Sequence, residues 1–142
     1  MDLRQLTPDL AVSAQIRPED VPALADAGFR VLINNRPDAE VGEDENDAAM
    51  RKAAEDAGLS YFYIPFSPGQ VTPDMITAQA EALSAPGPKV AYCRSGNRST
   101  VLWALTRAGQ QPIDELMQAA ARAGHDIAGI RPLIETLARR PA

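Results

Sequence analysis

Short apolar runs recur along the chain. They are "DLAVSA" (9–14), "FRVLINN" (29–35), "LSYFYIPF" (59–66) and "KVAYC" (89–93). Such runs, closed by turn residues such as "RPD" and "SPGQ", read as strands. Helix punctuation separates them. "RPEDVPALADAG" (17–28) has Pro18 and two acids in its first turn and Gly28 after its end. The spacing also predicts helices over 42–58, which opens with a block of acids, and over 72–85, with Thr72 as N-cap and Pro73 at the first helical position. A helix over 98–109 is apolar on more than one side, so it is expected to be deeply packed. Two further helices, about 112–123 and 130–139, are joined by "AGHD".

Strands that alternate with helices predict an α/β fold, with a mostly parallel central sheet of four to five strands flanked by helices. No repeat or linker divides the chain, so residues 1–142 read as one domain. In such sheets the working groups gather beyond the carboxyl ends of the strands. Cys93 stands at that end of its run.

Composition narrows the chemistry. Nineteen acids against fourteen bases give a net charge of −5, which does not suit nucleic acid. "MDLRQLTPDL" has no apolar core of a signal peptide, and "VLWAL" is too short to span a bilayer. One cysteine forms no internal disulfide, so a reducing cytoplasm is expected. With one cysteine and one histidine, no metal or other cofactor is expected.

The lone cysteine lies in "AYCRSGNRSTVLWAL" (91–105), a strand, a loop and a helix in succession. Gly96 lets the loop curl, and a curled loop before a helix turns successive N–H groups inward as an anion nest. The helix N-terminus adds partial positive charge. Arg94 and Arg98 add full charges, and a guanidinium holds an oxyanion through two hydrogen bonds. Ser95, Asn97 and Ser99 add polar groups. These surroundings favour a thiolate over a buried inert thiol. A thiolate in an anion cradle is a nucleophile for an anionic substrate.

Two chemistries fit. The strand–loop–helix arrangement, with Ser99 and Thr100 after Arg98, resembles the phosphate loop of cysteine-dependent phosphatases. Those loops have five residues between cysteine and arginine; here there are four. The string C-R-S-G-N-R-S also resembles the active loop of rhodaneses, which carry sulfur as a cysteine persulfide. Over about residues 3–109, "LTPDLAVSAQIRPEDVPALADAGFRVLINNRPD", "IPFSPGQVTPD" and "AYCRSGNRSTVLWAL" resemble the bacterial beta-lactamase-hydrolase-like, phosphatase-like family. That resemblance implies a cysteine-phosphatase-like three-layer fold, and either phosphatase or sulfurtransferase activity.

The residues favour sulfur on two counts. A short cradle suits a terminal sulfur, and Ser67 stands where a phosphatase keeps its aspartate acid. Asp74, the next acid, is accounted for by its place at a helix N-terminus. The expected reaction moves sulfur from thiosulfate or glutathione persulfide to Cys93 and then to an external thiol, sulfite or cyanide. Arg98 and Arg94 are expected to hold the donor, the backbone N–H groups from Arg94 to Ser99 to stabilise the Cys93 persulfide, and Ser99 to bond the Cys93 sulfur. The family resemblance implies a persulfide dioxygenase or another sulfide-oxidising enzyme as partner. The alternative is a phosphatase for phosphotyrosine or small phosphate esters. Asn35 and Arg36, in "NNRPD", border the expected pocket, with Arg36 either a substrate contact or part of a turn. Trp103 reads as core, and His125 as a cap or surface residue.

Overall fold

The computed structural model describes residues 1–139. Five strands form one sheet: β1 (Leu3–Thr7), β2 (Leu10–Ser13), β3 (Val31–Asn34), β4 (Ser60–Tyr63) and β5 (Lys89–Tyr92). Six α-helices accompany them: α1 (Val21–Asp26), α2 (Asp47–Asp56), α3 (Pro73–Leu83), α4 (Asn97–Thr106), α5 (Ile113–Arg122) and α6 (Arg131–Ala138). The expected α/β architecture is observed, with strand order β1-β2-β5-β3-β4 and only β1 antiparallel.

The order of the strands follows from the crossovers. The chain leaves β2, passes through α1 and lays down β3 one position away, leaving a gap. It continues outward to β4 through α2, then turns back through α3 and inserts β5 in the gap. Right-handed crossovers in opposite directions put their helices on opposite faces. Side-chain alternation supports both faces. Leu32, Val90 and Tyr92 pack with Val21, Leu24, Met50 and Ala54 of α1 and α2. Val31, Ile33 and Ala91 pack with α4, α5 and α6 through Leu102, Leu116 and Ile134. The parallel register, Leu32 beside Val90 and Ile33 beside Ala91, makes each layer continuous. Every residue from Ser99 to Thr106 is buried, so α4 has no solvated face. Trp103 is core, as expected, at 1% exposure.

Three expectations are corrected. β1 went unread; it forms a hairpin with β2 whose register shifts between Gln5 and Thr7. The expected helix over 17–28 is a 3-10 turn, Pro18–Asp20, followed by the shorter α1. The acids at 43–45 do not begin a long helix. They form a separate 3-10 turn, and α2 starts at Asp47 because Asn46 caps it by accepting from the Ala49 N–H at 2.9 Å. Three successive carboxylates repel one another, and Asn46 is among the strongest N-cap residues. By contrast α3 starts as expected, with Thr72 Oγ1 accepting from the Met75 N–H at 3.2 Å. No helix among the described residues is long and apolar enough to cross a membrane.

Candidate active site

Cys93 follows the last residue of β5, the middle strand, at the crevice where the strand order reverses. Its N–H donates to the Ser13 carbonyl at 3.3 Å, which ties the start of the loop to β2. The loop closes on itself at Gly96, whose φ of +97° only glycine adopts without strain. That geometry aims the Gly96 N–H at Cys93 Sγ, 3.1 Å away. The Gly96 carbonyl then accepts from both the Thr100 N–H, at 3.1 Å, and Thr100 Oγ1, at 2.8 Å, starting α4. A Cβ at Gly96 would lie 3.0 Å from His125 Nε2 and 3.4 Å from the Ser13 carbonyl carbon. The side chain of His125 therefore packs against the nucleophile loop, closer to the site than its sequence position implied. Burial, and then the Arg4 charge, lower its pKa.

Arg98, in the first turn of α4, keeps only 12% of its side chain exposed. Its Nη1 donates to Glu40 Oε2 at 2.9 Å and to the Phe66 carbonyl at 2.8 Å; Nη2 donates to Glu40 Oε1 at 2.7 Å. The hydrogen bond to Glu40 raises the Arg98 pKa, burial opposes it, and the charges of Glu40 and Cys93 reinforce the rise. Glu40 responds in the opposite direction: its bond to Arg98 lowers its pKa, against burial, and Arg36 adds to the effect. Arg36 reaches Glu40 Oε1 through Nε at 3.2 Å and Gln15 Oε1 through Nη1 at 3.0 Å. Its backbone N–H donates to Asn34 Oδ1, an Asx-type bond that fits the turn reading of "RPD".

The remaining expected residues divide. Ser99 does not bond the sulfur as expected. Its Oγ donates to Asn35 Oδ1 at 2.8 Å, because Asn35 offers a fully buried acceptor on the other side of the helix turn. Asn97 takes its place in the loop, its N–H donating to Ser95 Oγ at 3.3 Å. Arg94 and Ser95 are exposed, and the Arg94 carbonyl accepts from Gln15. Asp74 is exposed in the first turn of α3. Glu40 and Gln15 were missed by sequence reasoning. Glu40 stands in an acidic stretch with nothing to single it out; only the fold brings it to Arg98. Among the described residues no group of His, Cys, Asp and Glu could hold a metal ion.

The three layers, with cysteine and arginine at the two ends of one loop, place the domain in the cysteine-phosphatase-like class. The chain belongs to the beta-lactamase hydrolase-like protein, phosphatase-like domain family, whose model matches residues 2–110. The beta-lactamase hydrolase-like protein of Agrobacterium fabrum is 35% identical over 100 residues, covering 70% of this chain but 23% of that protein. This chain thus spans less than a quarter of that relative's length. A solved Neisseria meningitidis protein, NMA1982, described provisionally as a phosphatase, superposes with a TM-score of 0.82 at 29% identity, covering 96% of this chain and 99% of that one. PTPMT1 in complex with PI(5)P gives a TM-score of 0.79 at 15% identity, over 98% and 96% of the two chains, and that likeness concerns the fold alone.

Proposed function

We propose that this domain is a cysteine-dependent phosphatase acting on small phosphate esters through a phosphocysteine at Cys93. One observation carries the reading: the Gly96 N–H points at Cys93 Sγ at the carboxyl end of the central strand, with the Arg98 fork beside it. The phosphatase neighbours and the family description support phosphorus over the sulfur chemistry expected from loop length.

In the first step Cys93 sulfur attacks phosphorus. An S–P bond forms, the P–O bond to the leaving group breaks, and the leaving oxygen takes the electron pair. Loop N–H groups and Arg98 neutralise the phosphoryl oxygens as charge develops. Both Nη groups of Arg98 engage Glu40, so Nε and one Nη2 proton remain for the substrate. In the second step water attacks phosphorus, the S–P bond breaks, and phosphate leaves with regeneration of the thiolate. The water proton passes to phosphate or solvent. Glu40, the carboxylate in contact with Arg98, is held ionised by two arginines and is a poor proton donor. Esters whose leaving group departs as a stabilised anion, such as aryl phosphates, therefore suit this site.

Sulfur transfer is the second reading, favoured by the four residues between Cys93 and Arg98. There Cys93 attacks the outer sulfur of thiosulfate, the S–S bond breaks, and sulfite leaves with the electron pair. An external thiolate then removes the sulfur.

One assay separates the two. The protein is incubated in parallel with p-nitrophenyl phosphate and with thiosulfate, quenched in acid and weighed. The expected result is phosphate release and a Cys93 adduct about 80 mass units heavier, the covalent intermediate. Cys93→Ser and Arg98→Ala abolish both. An adduct of about 32 mass units from thiosulfate, with no phosphate release, replaces the first reading with the second. Neither product removes both.

A further inference from the structure

Asn35 is completely buried, at 0% exposure, and lies just past β3, the strand beside β5. Its hydrogen bonds reach both ends of the Cys93–Arg98 loop and the segment that holds Arg98. Its N–H donates to the carbonyl of Tyr92, the residue before Cys93, at 2.8 Å. Its Oδ1 accepts from Oγ of Ser99, the residue after Arg98, at 2.8 Å. Its carbonyl accepts from the Phe66 N–H at 3.0 Å, and the Phe66 carbonyl in turn accepts from Arg98. Its Nδ2 donates to the Ile64 carbonyl and to Gln79 Oε1, both at 3.0 Å.

The network also fixes how the amide is oriented. Two oxygens face Nδ2 and a hydroxyl faces Oδ1, so the opposite flip would set oxygen against oxygen. Gln79 is fully buried too, and its Nε2 has no hydrogen-bond partner among the described residues. Turning Gln79 over would give Asn35 a second donor to face instead of an acceptor. The fold thus tolerates an unpaired buried donor on α3 while Asn35 keeps all its bonds.

From these contacts we infer that Asn35 is a positioning residue for the anion cradle. Among the described residues it makes no hydrogen bond to the Cys93 sulfur or the Arg98 guanidinium. It sets the distance between them by clamping Tyr92 and Ser99, the residues on either side of the loop, to one rigid amide. Through Phe66 it also sets the carbonyl against which Arg98 lies. A cradle built this way gains its spacing from a residue more than fifty positions upstream, and a small displacement of bound groups costs catalysis heavily. The inference rests on the reading of the loop as an anion cradle, though not on which anion reacts there.

The test reads the cradle directly. Cys93 is alkylated with iodoacetamide in the presence of graded inorganic phosphate, and the half-protecting concentration is measured by mass. In parallel, kcat and KM for p-nitrophenyl phosphate and the melting midpoint are recorded. Wild-type protein is expected to be protected. Asn35→Ala, still cooperatively folded, is expected to need about tenfold more phosphate and to lose at least tenfold in kcat. Ser99→Ala, which removes one of the clamping bonds, should fall between the two. If Asn35→Ala does not fold, Gln79→Met serves instead: it removes one amide partner and the unpaired donor, so the midpoint should hold while protection weakens several-fold. An Asn35→Ala protein that melts lower but protects Cys93 as wild type does, or a Gln79→Met protein with unchanged protection when Asn35→Ala is unfolded, overturns the inference. Wild-type protein that no phosphate concentration protects overturns the cradle reading itself, and the inference with it.

Discussion

Arg98 and Glu40 are joined by two hydrogen bonds, 2.9 and 2.7 Å long, one to each carboxylate oxygen. They are fifty-eight residues apart in the chain. The pair is bidentate, the geometry in which a guanidinium loses most of its freedom to rotate. Arg98 is thus held in one orientation before any substrate arrives.

Glu40→Gln keeps the side chain's size but removes its charge. We expect kcat/KM for an aryl phosphate to fall about tenfold or more, because Arg98 is free to turn from the cradle. Stability should fall by only about 1 kcal/mol, since the pair is partly solvated. Steady-state kinetics beside thermal melting separate the two effects. Equal modest changes in both would mean that Glu40 merely stabilises the fold.

Acid should dismantle the same contact. The pKa of Glu40 is lower in the folded chain than in the unfolded chain, so its contribution is fully present above the ordinary glutamate range, roughly pH 4.3. It is lost as pH falls below that range and through the folded value. His125 acts in the same direction from a higher starting point. Its lowered pKa favours the neutral ring in the fold, so protonation opposes folding as pH falls below about 6.5. Melting midpoints recorded from pH 8 to pH 3 should decline in acid. Glu40→Gln should flatten the decline at its acidic end, and His125→Gln the part nearer neutrality. A midpoint rising towards pH 4 would contradict both.

Gly96→Ala should be severe for its size. A residue held at positive φ costs on the order of 1–3 kcal/mol, and the new methyl group would press on His125 Nε2. Activity should fall further than stability, because the Gly96 N–H would no longer point at Cys93 Sγ. Adding His125→Ala relieves the contact but not the backbone, so it should restore part of the melting midpoint and little of the activity. Full recovery of activity in the double variant would show that the contact, not the N–H direction, matters.

The two arginines of the loop should behave differently. Arg98→Lys loses the planar fork that spans Glu40 and the Phe66 carbonyl, and turnover should drop by about two orders of magnitude. Arg94 is exposed and, among the described residues, only its backbone carbonyl is engaged, by the Gln15 N–H, so Arg94→Lys should change kcat less than about threefold. Comparable losses would assign Arg94 to the substrate clamp.

How much of this was legible in the sequence depended on contiguity. The cysteine loop could be read because Cys93, Gly96, Arg98 and the start of α4 lie in one stretch with one purpose. Thr72 and Pro73 announced α3 for the same reason. Asn35 was visible only as a residue at a strand end, and nothing local marked Glu40 or Gln15. Their partners lie across the sheet, and the return of the chain to insert β5 creates the neighbourhood. Ser99 misled in a specific way: its place after Arg98 fitted a bond to sulfur, but a hydroxyl has one proton and Asn35 Oδ1 takes it. β1 escaped because Leu3 and Leu6 do not alternate, and its register shifts between Gln5 and Thr7.

The insertion of β5 between β2 and β3 also governs how the domain can form. Leu10 pairs with Lys89, and Val31 pairs with the same residue from the other side. Neither contact is local, and such pairings form slowly because long loops must close before they are rewarded. The strand that ends at the nucleophile is the last of the five to be made and occupies the middle of the sheet. A nascent or truncated chain that stops short of residue 92 exposes two unpaired central edges, at β2 and β3, and these are templates for association with other chains. Cys93 therefore reaches its crevice only when β5 completes the sheet.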